Sequence, residues 1–366
     1  MNKHLISWAL VFVVMPLSSC EVIRSSQPAE FKIEEADFER DGEQWANEAF
    51  NNAPEQELAL AENNLTGLMT DEETAARRPV AVVINNLKKA LPQSGVSKAD
   101  IIYEVLAEGD ITRLVAVFKD MSSEKIGPVR SARDYFLAFA FDNGAIFAHH
   151  GGSPAAYSLI TRSSADNIDG MYASDAFWRD PSRLSVAGMY EHSSYTDGRR
   201  LVEKINNENY LNIATGDSPF NFKDIEKTEV YQTIAITYSK GYVRRFEYDA
   251  DSGLYLAFNG DDALIDEETG EQLSVANVIA QFAEMHVIQG DAAGRRAVRL
   301  TGDGKGFLFT NGFTSPLTWR KERLDDATMW FDGNGDKLTV SAGKTWINVY
   351  NGEVIVETGK KAVFRK

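Results

Sequence analysis

RPVAVVINNLKKALPQSGVSKADIIYEVLAEGDITRLVAVF, residues 78–118, decides the fold. After Arg78-Pro79 the run VAVVIN (80–85) is apolar and β-branched, which predicts a buried strand. IIYEVLAEG (101–109) and ITRLVAVF (111–118) are two more strand-like runs. They meet at Gly109-Asp110, a dipeptide that signals a hairpin.

Toward the C-terminus the pattern alternates. Gly127-Pro128 marks a turn. Ser131 is placed to cap a helix over 132–142 that turns Tyr135, Phe136, Phe139 and Ala140 to one face. AIFAHH (145–150) predicts a short strand, and Ser153-Pro154 supplies N-cap and first-turn chemistry for a helix to about Arg162. Asp197 caps a further helix over 199–207. From 228 onward many short runs, among them VYQTIAITYS, VRRFEYD, GLYLAFNG, VIAQFAEMHVI and TWINVYNG, are punctuated by Gly, Asp and Asn. This predicts a mainly antiparallel β-rich part. The fold class is therefore α+β. A mixed α/β domain over 78–225 packs with a β-rich domain over 226–366, with no long linker between them.

Residues 1–20, MNKHLISWALVFVVMPLSSC, give the chain an address. The apolar run from Leu5 to Met15 is too short to span a bilayer core of roughly 30 Å. It follows Lys3, as the h-region of a signal peptide does. Leu17-Ser18-Ser19-Cys20 looks like a bacterial lipobox, with 1–19 removed and Cys20 lipidated. Cys20 is the only cysteine in the chain, so an internal disulfide framework is excluded. Residues 21–78 hold 15 Asp/Glu and 5 Lys/Arg, a net of −10 out of −16 for the whole chain. Segment 20–77 is accordingly expected to be an acidic, flexible tether. No basic face of the kind nucleic acid requires is visible.

Chemistry-bearing residues concentrate in 85–196. Arg130 and Arg133 flank the expected helix start, and Arg113 lies on the preceding strand. Guanidiniums near a helix N-terminus suit a phosphate or carboxylate. Asn85 follows a strand, and Trp178 and His192 belong to the loop-like FWRDPSRLSVAGMYEHSSYT (177–196), whose mixed aromatics, Arg and Asp suit a sugar or peptide surface. Asn85, Arg113, Arg130, Arg133, Trp178 and His192 are thus the candidate ligand residues. Glu104 and His149 are the weaker candidates for acid–base work. The same arginines can equally be ion-paired to Glu104, Glu108 or Asp134 as structural elements. His149 and His150 point to opposite faces of their strand, which disfavours a shared metal. No metal or other cofactor is implied. Glu104 and Glu108 would stand roughly 13 Å apart on one strand, wider than the ~5–9.5 Å a glycosidase pair needs. Ser131 and Ser153 lack a nucleophile elbow and read as caps. Asp332-Gly-Asn334-Gly-Asp336 lacks the later residues of a calcium loop and reads as a turn. Trp319-Arg320-Lys321 and Gly343-Lys344-Thr345-Trp346 read as a satellite core in preference to a binding surface.

The string 78–118, then IGPVRSARDYF (126–136), HHGGSPAA (149–156) and the C-terminal stretch 277–352 together resemble the YerB-like family of bacterial lipoproteins of unknown function. The resemblance implies a mixed α/β first domain, a β-rich second one and a lipid anchor. It implies no activity, substrate or catalytic residue.

These readings predict an extracytoplasmic lipoprotein held to the bacterial cell membrane through Cys20. It would bind a glycan, a peptidoglycan fragment or an envelope protein through an arginine-rich cleft in the first domain. The alternatives are a hydrolase or transferase acting on an anionic wall polymer, with Arg113, Arg130 and Arg133 holding the anion, and an assembly scaffold using the β-rich domain.

Overall fold

The computed structural model describes residues 59–214, 216–227, 232–358 and 360–364. Cys20 and segment 21–58 of the expected tether lie outside them. Residues 59–77, read from the sequence as the end of that tether, are instead built into the fold. They form β1 (Leu60–Glu62), β2 (Met69–Asp71) and α1 (Glu72–Ala76), with Asp71 capping the helix through Thr74 N. Asn63 then donates to the Asp100 carboxylate at 2.8 Å, which ties this segment to the start of a core strand.

The first family of strands and helices follows in order. It comprises β3 (Val80–Asn85), β4 (Ile101–Leu106), β5 (Thr112–Phe118), α2 (Phe136–Asp142), β6 (Ile146–His149), α3 (Pro154–Ser163) and β7 (Asn167–Asp169). A small hairpin of β8 (Trp178–Arg179) and β9 (Ser194–Tyr195) encloses the short α4 (Pro181–Leu184), and α5 (Gly198–Asn207) follows. After β10 (Asn221–Lys223) the chain is all strand. The order is β11 (Thr233–Ser239), β12 (Tyr242–Asp249), β13 (Leu254–Asn259), β14 (Asp262–Ala263), β15 (Ser274–Val275), β16 (Asn277–Phe282), β17 (Met285–Val287) and β18 (Arg296–Val298). Then come β19 (Gly302–Thr310), β20 (Phe313–Lys321), β21 (Met329–Phe331), β22 (Thr339–Ser341), β23 (Thr345–Tyr350), β24 (Val354–Thr358) and β25 (Lys360–Phe364).

Ten strands form one sheet in the order β21-β20-β19-β16-β23-β4-β5-β3-β6-β7. Half come from before residue 170 and half from after 276. The join is β23 against β4, parallel, with Trp346 opposite Ile102 and Asn348 opposite Glu104. The two sequence segments therefore share one sheet instead of packing as separate layers. A second, antiparallel sheet of seven strands runs β14-β13-β12-β11-β24-β25, with β15 on β13. Its strands alternate in burial, as expected where one face meets the core. By contrast β3, β4 and β5 are buried at every position, because their sheet is covered on both faces.

Residues Tyr103 and Glu104 show the two covers, since neighbours on a strand point to opposite faces. Tyr103 stacks on Phe139 of α2 with ring centroids 4.4 Å apart. Glu104, fully buried, meets β12 of the second sheet. Arg244 Nε donates to its Oε2 at 2.8 Å, and Tyr242 and Thr112 hydroxyls reach its Oε1 at 2.8 and 2.7 Å. Asn86 Nδ2 adds a contact at 3.1 Å. Trp346 lies edge-on to Phe246 of β12 and beneath the Arg244 guanidinium. A further cross-tie joins α2 to β20, where Lys321 Nζ donates to Asp142 at 2.6 Å with both side chains nearly sealed.

Three local expectations are corrected or refined. The helix after Ser131 begins at Phe136, four residues later than its cap chemistry predicts, because residues 130–132 are spent on sheet-like pairing. Arg130 N donates to Val83 O, Ala132 N to Gly151 O and Ser153 N to Ala132 O. The hairpin signalled at Gly109-Asp110 forms between β4 and β5, through a five-residue loop longer than those two residues, closed by Ala107 N to Ile111 O, with Gly109 at φ +52°. The run VIAQFAEMHVI breaks at 283–284 into β16 and β17. The caps at Ser153 and Asp197 form as predicted, each accepting from the backbone N–H three residues on. Among the described residues no helix is long and apolar enough to cross a membrane.

Replacing Arg244 by leucine should leave the Glu104 carboxylate buried with no cation. The expected loss is about 3–5 kcal/mol, read as a shifted urea midpoint, and a loss below 1 kcal/mol would show that the pair does not hold the seam. Wild-type unfolding followed by near-UV and far-UV signals should be a single coincident transition, since the sheet is shared.

Candidate functional site

Parallel strands β3, β6 and β7 end together at Asn85, His149 and Asp169. Ligand sites in open α/β sheets lie off such carboxyl ends. Segment 126–135 and the β8–β9 hairpin come to the same edge, since Val129 N donates to Ser194 O and His150 N to Arg130 O. Sequence reasoning placed a cleft here, and the structure sorts its residues into two sets.

The first set is structural. Glu104 belongs to the sealed network at the seam and does not meet the three arginines. Arg113 and Arg133 both bind the Glu108 carboxylate, Arg113 Nη2 at 2.8 Å. Each also donates to a carbonyl, Arg113 Nη1 to Ser131 O and Arg133 Nη1 to Ala132 O, each at 2.6 Å, while Arg133 Nε is buried without a hydrogen-bond partner among the described residues. Both are buried, and burial with the nearby Arg130 charge pulls the Arg113 pKa down to about 9. His149 is wholly buried with Nδ1 on Gly151 O at 2.8 Å, and burial lowers its pKa. Its neighbour Asp169 is filled by Gly151 N, Met171 N and the Tyr157 hydroxyl. Trp178 faces away into a stack between the Arg200 guanidinium, 4.6 Å from its ring centre, and Tyr195. Of the two arrangements the sequence leaves open, a shared cleft or structural ion pairs, Arg113 and Arg133 take the second, through Glu108. Buried arginines need carboxylates and carbonyls more than a ligand does, because an unpaired buried cation is too costly.

The second set lies nearer the surface, with Arg130, His150 and Arg179 partly exposed and His192 buried beside them. Arg130 pairs with the exposed Glu191 at 2.5 Å. His192 Nδ1 accepts from Asn85 Nδ2 at 2.8 Å, and burial, with the Arg130 charge, lowers its pKa. Arg179 Nη1 donates to Tyr190 O at 2.8 Å, Nη2 lies 3.1 Å from His150 Nε2, and the guanidinium sits 4.3 Å above the exposed Tyr190 ring. His150 Nδ1 is 2.7 Å from Ser194 Oγ.

The His150–Ser194 contact has the spacing of a nucleophile and its base. Its proton sits the wrong way round. A guanidinium can only donate, so His150 Nε2 accepts from Arg179. The neutral ring then carries its hydrogen on Nδ1 and donates to Ser194, so it cannot take the serine proton. Burial, then the Arg179 charge, pulls the His150 pKa down to about 4. The edge thus presents positive guanidiniums and neutral imidazoles.

Sequence reasoning missed Arg244 and Tyr242, and it placed Arg179 in the 177–196 loop without singling it out as a ligand residue. A signal existed for Arg244, which stands on the inward face of an alternating strand with Phe246 and Tyr248. An arginine at such a position announces a buried carboxylate. The largest of the cavities bordering these residues, about 450 Å³, opens at the seam above Asn86 and Tyr242. Lys88 and Lys240 on its wall are balanced by Asp110 and Asp262.

His150 should titrate near pH 4 by two-dimensional NMR and show the Nδ1-protonated tautomer, with Arg179→Ala moving the midpoint upward. The folded state resists this proton while the unfolded chain takes it up near pH 6.5. The group's stabilisation is hence full above 6.5 and lost as pH falls toward 4. A midpoint near 6.5 in the wild type would contradict the assigned contacts.

Comparison with known proteins agrees with this architecture. Residues 65–214 match the family described as protein of unknown function (DUF3048) N-terminal domain, and residues 234–347 its C-terminal domain. The chain is 35% identical to "Putative lipoprotein YerB" of Bacillus subtilis (strain 168) over 291 residues, 78% of this chain and 85% of that protein. The crystal structure of the YerB protein from Bacillus subtilis superposes with a TM-score of 0.71 at 32% identity, covering 83% of this chain and all of the other. A shared fold, both family segments in order and this level of identity place the chain in the DUF3048 family, whose function is unknown.

Proposed function

We propose that this chain is a lipid-anchored binding protein of the bacterial cell envelope that holds an anionic group of an envelope polymer at Arg130 and Arg179. The lipobox sequence ending at Cys20 and the lipoprotein name of the Bacillus subtilis relative support the anchor. One observation carries the site. Among the described residues Arg179 forms no ion pair, and its partners are a carbonyl, a hydroxyl and a neutral imidazole. A partly exposed guanidinium left uncompensated in a chain of net charge −16 is poised for an incoming oxyanion. Arg130, whose own partner Glu191 is exposed, and the remaining ring nitrogen of His192 complete the donor set.

The surrounding surface fits a binding role. Met171, Tyr172, Leu184, Val186 and Tyr190 are exposed large apolar side chains within one loop region. Those of the β-rich part are more dispersed along the sequence, which favours the loop region over a docking face on the second sheet. The hydrolase alternative loses its general acid, because Glu104 is sealed at the seam and His149 is buried.

The test is retention of the full-length protein, reconstituted in phosphatidylcholine vesicles, on purified cell walls. One arm uses intact walls and the other uses walls stripped of phosphodiester-linked polymer. Replacing Arg130 and Arg179 together by alanine should weaken retention at least tenfold, given about 1.5–3 kcal/mol for each charged hydrogen bond. Equal retention of wild type and a folded double variant would overturn the site. Equal retention on both wall preparations would overturn the phosphodiester-linked polymer as the source of the anion.

A further inference from the structure

The cavity of about 450 Å³ at the seam plays no part in the anion site. Both halves of the sequence build its wall. The 86–91 segment after β3 and the β4–β5 loop supply one side, and the β11–β12 and β13–β14 turns supply the other. The polar groups of the floor are already committed. Asn86 is buried, and its amide nitrogen reaches Glu104, Thr112 and the Tyr242 hydroxyl. That hydroxyl donates to Glu104 and accepts from Arg244 Nη2. Recognition of any ligand therefore falls to the walls and the rim. Leu87, Leu91 and Ile111 on the walls are half-buried, which leaves apolar surface facing the cavity. Gly241 and Gly260 keep the mouth open, since a Cβ at either position would meet nothing within 4 Å.

The rim carries two cations and two anions, all exposed. Lys88 and Asp262 approach to 3.9 Å, a loose surface contact. Lys240 and Asp110 differ from that pair. Among the described residues neither forms an ion pair, with the other or with any further group. Lys240 is carried by the β11–β12 turn of the second sheet and Asp110 by the β4–β5 loop of the first. Opposite charges on one cavity that do not close on each other leave a gap with an acceptor at one end and a donor at the other.

We infer that this cavity receives a zwitterion with an apolar side chain, either a free amino acid or a short peptide with both ends unblocked. The ligand's ammonium donates to Asp110 and its carboxylate accepts from Lys240, while its side chain rests on Leu87, Leu91 and Ile111. Charge-assisted hydrogen bonds of this kind are roughly twice as strong as neutral ones. A mostly apolar hollow with a few polar groups that fix orientation is the usual form of a small-ligand site, and about 450 Å³ falls within the ~300–1,000 Å³ of such sites. A simple anion would be drawn to Lys88 and Lys240 but repelled by Asp110 and Asp262, and a simple cation meets the reverse. The guanidinium edge with Arg130 and Arg179 selects by a single sign of charge, so the two sites take different ligands. A second hollow of about 360 Å³, lined by Leu91, Pro92, Leu264 and Ile265, shares Lys88 and Asp262 with the first. It gives the next side chain of a peptide a place to go.

The experiment is isothermal titration of the full-length protein in dodecyl maltoside micelles. One arm uses leucine and the other leucyl-leucine, which distinguishes a free amino acid from a peptide. Saturable binding of at least one is expected. N-acetyl-leucyl-leucinamide, with both charges removed, should bind at least tenfold more weakly than leucyl-leucine. Asp110→Ala and Lys240→Ala change exposed side chains without ion partners, so the fold is kept, and each should weaken binding about fivefold. Acetylating the amino end should then cost nothing further in Asp110→Ala, and amidating the carboxyl end nothing further in Lys240→Ala. The Arg130 and Arg179 double variant should bind these ligands unchanged, so this site can fail while the anion site stands, and the reverse. No saturable binding of either ligand overturns the proposal. Equal binding of the doubly blocked peptide overturns it as well, as does wild-type affinity in both single variants.

Discussion

Burial of the Glu104 carboxylate is the constraint on which the rest of the structure depends. It sits in the middle of β4, where the strand from one half of the sequence meets β23 from the other. A carboxylate there is tolerable only with a cation and a full set of donors. Arg244, Tyr242, Thr112 and Asn86 provide them, and two of the four come from the second sheet. Tyr238 adds a bond to the Glu104 carbonyl and another to Asn348 of β23. One side chain thus fixes the register of the seam and the position of the sheet packed above it. The segments 65–214 and 234–347 are separate by sequence but form a single body at this point.

The arginines divide by what surrounds them. Arg113 and Arg133 are enclosed and share Glu108, so their charge is spent on holding the 107–111 loop to the 130–133 segment. Arg130 and Arg179 reach the surface with an exposed carboxylate or none. Residue type alone could not separate these fates. Exposure and partner decide which guanidiniums are mortar and which are free to meet a ligand. The histidines follow the same logic, since each ring nitrogen that is accounted for is used by a neighbour whose own donor or acceptor character is fixed.

Much of the local structure was legible in the residues. VAVVIN, IIYEVL and TRLVAVF are strands because β-branched runs have few other options. Ser153-Pro154 and Asp197 start helices because their side chains satisfy N–H groups that would otherwise be orphaned. Legibility failed where long-range pairing won over local chemistry. Ser131 is a good cap, but its neighbours are committed to β3 and to the 150–153 turn. The acidic stretch 59–77 looked like solvent-loving chain, yet Asn63 and α1 are held by partners far along the sequence. The site was half legible: its edge and its loop were found, and the grouping of Glu104 and His149 with the arginines was not. Nothing near Glu104 in sequence names its partner, 140 residues away on another sheet.

The parallel pairing of β23 with β4 also sets an order of assembly. Ile101 pairs with Thr345, so the open edge of β4 has no neighbour until nearly the whole chain is present. Until then β4 carries an unpaired hydrogen-bonding edge. Such a strand is a template for foreign strands. Contacts this distant in sequence also close slowly. A chain that emerges from its N-terminus at roughly 5–20 residues per second would expose that edge for roughly 10–50 s. The sheet of the first half of this protein is therefore completed only when its last strands arrive.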